Sequence, residues 1–327
     1  MSITELISTW LAGIPSDPWP VALPLAGTIL VALLYWRGVR YEWRTGIGRP
    51  ITALHVGCFA AGLVILLLAV ASPLDTLADE GFAAHMVQHE LLVLIVPPLL
   101  LFAAPIWPLW RALPARWRRV SLRWLLRRNW AKDTAERIGR VVSHPVGAWA
   151  LFIVVFLGWH IPALYDLALE NEAIHALEHT CFLLAALIFW AQVIPSFPLE
   201  PRLSYLTRAG YIFFAGCVLH LQAIVLSIAT QSFYPFYGTG SGVVQDQGSG
   251  GAIMDVFGMV IFTIALLICL GLWLRDDERQ TLREETGVAE EPTPTISARG
   301  ALLIAEAGLA EPTASAGSAG SASGAED

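Results

Sequence analysis

A chain of 327 residues that is 56% hydrophobic and only 14% charged, with a mean hydropathy of +0.60, does not have the composition of a water-soluble protein. Its net charge of −7 resides in residues 275–327, which hold 4 basic and 11 acidic side chains; the remainder is balanced, which excludes a nucleic-acid binder of the usual basic kind. Cys58, Cys181, Cys217 and Cys269 are widely spaced in apolar runs, so neither a disulfide framework nor a thiolate zinc site is expected.

In chain order, seven apolar runs reach the roughly 20 residues that a bilayer-crossing helix needs: 19–36, 52–71, 82–107, 145–164, 173–194, 207–230 and 252–274. The first follows no basic segment and ends in Tyr35-Trp36-Arg37 without a small-residue cleavage site, so it is expected to stay as a helix and not to be removed as a signal peptide. The expected fold class is all-α: a polytopic membrane protein with seven transmembrane helices in residues 1–274. Residues 275–327, rich in Ala, Gly, Ser, Glu and Pro, cannot bury a core and are expected to form a disordered acidic cytoplasmic tail.

All 20 Lys and Arg residues fall on alternate connections: after the first run, in 108–144, after the fifth run, and in the tail. The N-terminus and the connections 72–81, 165–172 and 231–251 carry none and hold nine acids. Basic residues are retained on the cytoplasmic side of short loops, so the N-terminus is expected outside and the C-terminus inside, with 108–144 a long basic cytoplasmic loop. Within 114–128, Trp117, Val120 and Trp124 share a helical stripe among arginines, as in a helix resting on anionic membrane lipids. A purely topogenic loop has the same composition.

Ionisable residues inside a span are costly and mark function. With this orientation His85 and His89 lie in the first two turns of the third span, His175 and His179 in those of the fifth, and His160 at the end of the fourth, all close to the outer face. Both pairs, His85-Met-Val-Gln-His89 and His175-Ala-Leu-Glu-His179, have spacing i,i+4, which puts their Cβ atoms about 5–6 Å apart on one helix face. Each pair can chelate one ion or bracket two. A single membrane histidine is more often a hydrogen-bonded packing residue, the reading kept for His55, His144 and His220 and left open for His160. Two matched pairs at one depth point instead to a metal.

Met86, Met254 and Met259 supply soft thioethers in the same part of the sequence pattern, and thioether with imidazole modestly favours copper, although each methionine alone is more often a packing residue than a ligand. Glu178 completes the H-x-x-E-H pattern of inverted zinc proteases, in which it is the general base, so zinc and a zinc-dependent intramembrane hydrolase form the alternative. Gln88 holds the equivalent position in the third span, which favours a supporting hydrogen bond to a ligating imidazole for both residues. Asp75 stands ten residues before His85 and Asp166 nine before His175, as two halves of a parallel repeat would place them. The only lysine, Lys132, is outside the spans, which excludes a retinal Schiff base; a single haem between the pairs stays open.

The runs SPLDTLADEGFAAHMVQHELLVLIVPPLLLFAAP at 72–105 and GWHIPALYDLALENEAIHALEHTCFLLAALIFW at 158–190 resemble the multi-span cytochrome c oxidase assembly factors called CtaG, of the caa-type oxidase. The resemblance extends over spans two to seven. It implies a multi-pass protein of the bacterial plasma membrane that is not an enzyme, binds copper at the histidine cluster near the outer face and assists its delivery to a haem-copper oxidase. Oxidase subunits, and a copper chaperone outside the membrane, are the implied partners. The segment DQGSGGAIMDVFG at 246–258 departs from the family pattern in carrying Asp255 where a tryptophan is expected, so the resemblance supplies no ligand from span seven.

Overall fold

The computed structural model describes residues 19–46, 51–120, 144–197 and 201–286; the basic stretch 121–143 with Trp124, and everything beyond Thr286, lie outside the described residues. Among the described residues the regular structure is helical: α1 (Trp19–Thr45), α2 (Ala53–Val70), α3 (Pro73–Glu80), α4 (Phe82–Glu90), a π turn (Leu91–Ile95), α5 (Val96–Phe102), α6 (Ile106–Ala112), α7 (Pro145–Trp159), α8 (Pro162–Glu170), α9 (Glu172–Trp190), α10 (Tyr205–Ile228), a 3₁₀ turn (Pro235–Tyr237) and α11 (Ser241–Thr286). Among the described residues six helices are long and apolar enough to cross a membrane, and the pair α7 and α8, bent by 70° at their junction, brings the number to seven when counted as one broken span. Leu23, Leu30, Val154, Phe214, Leu221 and Ile228 are exposed on them, as expected where the surrounding solvent is lipid.

The connections expected as loops at 72–81 and 165–172 are instead the short helices α3 and α8. Local chemistry explains both. Ser72 caps α3 by accepting from the Leu74 amide, with Pro73 in the first turn, and Pro162 likewise opens α8. Asn171 then starts α9 by accepting from the Ala173 and Ile174 amides. The two hairpins thus share one layout, a short proline-opened helix preceding each histidine-bearing helix. At the other end of the chain α11 begins at Ser241, ahead of the expected 252, and runs past 274 to Thr286. A helix nucleated in a packed span propagates into exposed sequence of good helix formers without a core of its own, so this first part of the tail is ordered.

The third span is built around Pro97. Proline lacks the amide that would bond back to Val93, and the backbone relaxes into the π turn ahead of it. The freed Val93 carbonyl accepts from Trp190 Nε1 at 3.0 Å, tying the third span to α9. One core joins α4, α5 and α7–α11 through Phe82, Phe152, Phe156, Phe182, Phe189 and Trp190, while Tyr35, Val39, Phe59, Leu63 and Ala103 form a smaller one between α1, α2 and the end of α5.

Close approach of α10 and α11 depends on Gly251, where a Cβ would meet the Ser227 amide nitrogen at 2.7 Å and the Ala223 carbonyl oxygen at 2.8 Å. Backbone cannot rotate aside as a side chain can. Gly251→Ala should therefore destabilise the bundle by about 1–3 kcal/mol, the usual cost of overpacking, read as a lowered unfolding midpoint in detergent. Gly248→Ala, with its nearest neighbour at 3.3 Å, should cost less.

Candidate metal centre

The first turns of α4 and α9 lie side by side, and the i,i+4 spacing turns each histidine pair toward the other. Ring centroids are 5.0 Å apart for His85 and His175, 6.1 Å for His85 and His179, and 5.5 Å for His89 and His179. Ligand atoms of His85, His175, Glu178 and His179 all lie within 4.8 Å of one another. His85 and Glu178 are fully buried, His89 and His179 nearly so, and His175 is half-buried at the mouth. His89 sits one layer inward, its Nε2 at 2.7 Å from His85 Nε2 and 3.7 Å from Glu178 Oε1.

Hydrogen bonding sets the tautomers. The Tyr237 hydroxyl gives its single proton to the Ala78 carbonyl at 2.9 Å, so it can only accept from Tyr165 at 3.1 Å and from His85 Nδ1 at 3.4 Å. With Nδ1 protonated, the lone pair of His85 is on Nε2, where it accepts from His89 Nε2 at 2.7 Å. His160, whose ring is 6.1 Å from that of His89, places Nδ1 at 2.7 Å from the Phe156 carbonyl. A carbonyl only accepts, so His160 Nε2 is a bare lone pair, buried and without a partner.

His175 Nε2, His179 Nε2 and both Glu178 oxygens are likewise buried without hydrogen-bond partners. Buried polar atoms are nearly always satisfied, and a concentration of orphans from two helices at one point is what a metal ion resolves. The donor set of three imidazoles and a carboxylate fits Zn(II) or Cu(II). Acids ring the mouth. Burial raises the Asp79 carboxyl above its ordinary range, against the pull of His175, and burial also raises Asp75, against its hydrogen bond from Gln88.

Several expected site residues stand elsewhere. Gln88 does not back an imidazole: its Nε2 donates to the Ala69 carbonyl at 2.6 Å and to Asp75 at 2.7 Å, so Gln88 and Asp75 pin α3 over the site. Glu178 stands among the donors and not behind one of them. Met86 packs on Gly250 of α11, and Met254 borders a groove between α10 and α11, so neither adds a thioether to the cluster. Asp166 accepts from the Phe236 amide at 3.4 Å and steadies the 3₁₀ turn. His55 is occupied in capping α2 through Thr52. The sequence reading passed over Tyr234 and Tyr237, delivered by that turn, whose only signal was the aromatic density of Phe233-Tyr-Pro-Phe-Tyr237. It also passed over Glu90, buried with Oε2 unpartnered where α4 meets the π turn.

Residues 33–276 match the family described as cytochrome c oxidase caa3 assembly factor. Among curated proteins the chain is similar to an uncharacterised protein of Mycobacterium leprae, 26% identical over 278 residues that make up 80% of this chain and 40% of the relative. Uncharacterised proteins of Mycobacterium bovis and Mycobacterium tuberculosis are each 24% identical over the same shares. The chain therefore spans about 40% of the length of these relatives. No solved structure matches it. With the matched residues covering all but the first turns of the helical bundle and the last turns of α11, the chain belongs to the cytochrome c oxidase caa3 assembly factor family.

Proposed function

We propose that this protein assists the assembly of a haem-copper cytochrome c oxidase by binding copper at His85, His175, Glu178 and His179 and passing it on to the oxidase. His89 and His160 supply the next imidazoles inward. The observation that carries this reading is the convergence of buried, unpartnered nitrogen and oxygen donors on one point in a chain of an oxidase assembly family. The donor set alone accepts zinc or copper; the family is what favours copper. Ligation comes entirely from this chain's side chains, with Tyr237 and the Phe156 carbonyl holding His85 and His160 in the tautomers that put the lone pair on Nε2. The acids Asp75, Asp79 and Glu172 at the mouth raise the local concentration of cations.

In this reading the cluster faces outward in a bacterial plasma membrane, with oxidase subunits and an external copper chaperone as partners. Reporter fusions at Leu74 and Leu167 should then report an external location and a fusion at Arg116 a cytoplasmic one. A cytoplasmic signal at Leu167 would put the cluster on the wrong side for an external copper source.

A second reading has one observation in its favour. His160 also borders an apolar cavity of about 410 Å³ whose wall includes Leu157, Ile161, Leu221 and Val225, and its ring lies 6.1 Å from that of His89, which is 3.7 Å from the Glu178 carboxylate. A zinc-dependent hydrolase uses such a carboxylate as base toward a metal-bound water. Glu178→Gln separates the two: metal-dependent cleavage of peptide or lipid-amide substrates by the purified protein, lost in this variant while zinc stays bound, would establish the hydrolase. Metal binding without any cleavage supports the assembly role.

A further inference from the structure

Away from the histidine–glutamate cluster, α10 and α11 bring a second group of donors together within their membrane-spanning stretches. His220 of α10 and Asp255 of α11 are in direct contact through Nδ1 and Oδ1. They border a groove of about 190 Å³ whose wall also carries Cys217, Met254 and Met259. The rest of the lining, including Ile212, Phe213 and Phe262, is apolar. Two of the three methionines that the sequence pattern placed near the histidine pairs, Met254 and Met259, thus line this groove together with one imidazole.

The contact with Asp255 has a chemical consequence. An ionised carboxylate only accepts, so the proton of a neutral His220 imidazole is on Nδ1 and the Nε2 lone pair is free. A histidine that hands its N–H to a carboxylate while the other nitrogen ligates is the common arrangement at protein metal sites, because it fixes the ring and raises its basicity. Thioethers select monovalent copper over zinc and over harder ions. A monovalent cation beside one carboxylate is also electrically neutral overall, which suits a site within a bilayer, where an isolated charge is costly.

We propose that His220, Met254 and Met259, with Asp255 orienting the imidazole and Cys217 alongside, form a second metal site that takes a soft monovalent cation of the Cu(I) or Ag(I) type. His220 is 43% exposed and Met259 56% exposed on the side of the bundle, so the site opens laterally. Binding uses lone pairs only: no electron is transferred, and the cation enters and leaves in the same oxidation state. The proposal stands whether or not the histidine–glutamate cluster holds copper.

The test is anaerobic titration of the purified full-length protein in detergent with Ag(I), a redox-inert probe, repeated with Cu(I) against a chromophoric chelator. Wild type and the His179→Ala protein should each retain a tightly bound ion that the Met254→Leu/Met259→Leu protein loses or holds at least about tenfold more weakly. Leucine preserves volume and apolarity at both positions, so the thermal unfolding midpoint of this variant should stay close to that of wild type. His220→Gln should weaken the same ion; if that variant does not fold, the methionine pair still decides the question. Unchanged Ag(I) and Cu(I) binding after both methionine substitutions would overturn the site, as would a His179→Ala protein that binds neither ion. Loss of binding in His179→Ala together with full retention in the double leucine variant would assign all binding to the first cluster.

Discussion

Replacing His179 or His85 with alanine should remove tight metal binding from the histidine–glutamate cluster. Each supplies one of the four donors gathered within 4.8 Å, and three donors cannot close a tetrahedral site without a water. The loss should exceed the ~10–100-fold that removal of a supporting hydrogen bond costs. Tyr237→Phe, which removes the acceptor of His85 Nδ1 and also releases the Ala78 carbonyl and the Tyr165 hydroxyl, should fall within that smaller range. His55→Ala and His144→Ala should bind as wild type, His55 being engaged with Thr52 at the far end of α2. Equilibrium titration with Zn(II) and Cu(II), alongside the unfolding midpoint of each variant, distinguishes these outcomes. Equal losses at all of these positions would mean that the substitutions report on folding.

Deleting the protein should strongly lower haem-copper oxidase activity, and millimolar-range copper in the medium should partly restore it, because mass action substitutes for delivery. The haem content of the membranes should stay near normal. Rescue by copper is the informative part, since a factor that only folded or stabilised oxidase subunits would leave a deficit that copper does not relieve. A cell carrying His85→Ala should resemble the deletion, whereas one carrying Gln88→Ala should resemble it only to the extent that α3 no longer closes over the site.

The helical class and the two histidine pairs were legible because their signals are local: hydropathy over a span, and an i,i+4 repeat that fixes a helix face. Depth could be counted along each helix. Azimuth around the bundle could not, and this is where the methionines misled. Met86 follows His85 directly, so its side chain is turned about 100° away and meets Gly250 of α11. Met254 lies on a helix whose packing partner, α10, was unknown from sequence, and its groove with His220 follows from that pairing. Gln88 and Glu178 looked equivalent in sequence, yet one faces α3 and the other the imidazoles. The bend at His160–Ile161 was hidden because α7 and α8 read together as one apolar run ended by a loop. Tyr165, Tyr234 and Tyr237 act through contacts between residues more than 70 positions apart, which no local pattern records.

Copper held by this cluster is proposed to reach the oxidase. The most direct test of this transfer is the copper and haem content of oxidase purified from cells whose chromosomal copy carries His179→Ala, measured against wild type and against the same strain grown with added copper. The oxidase should be assembled with its haem present, deficient in copper in the variant, and with copper restored by the supplement. An oxidase that carries its full copper complement in the His179→Ala cells would contradict the transfer.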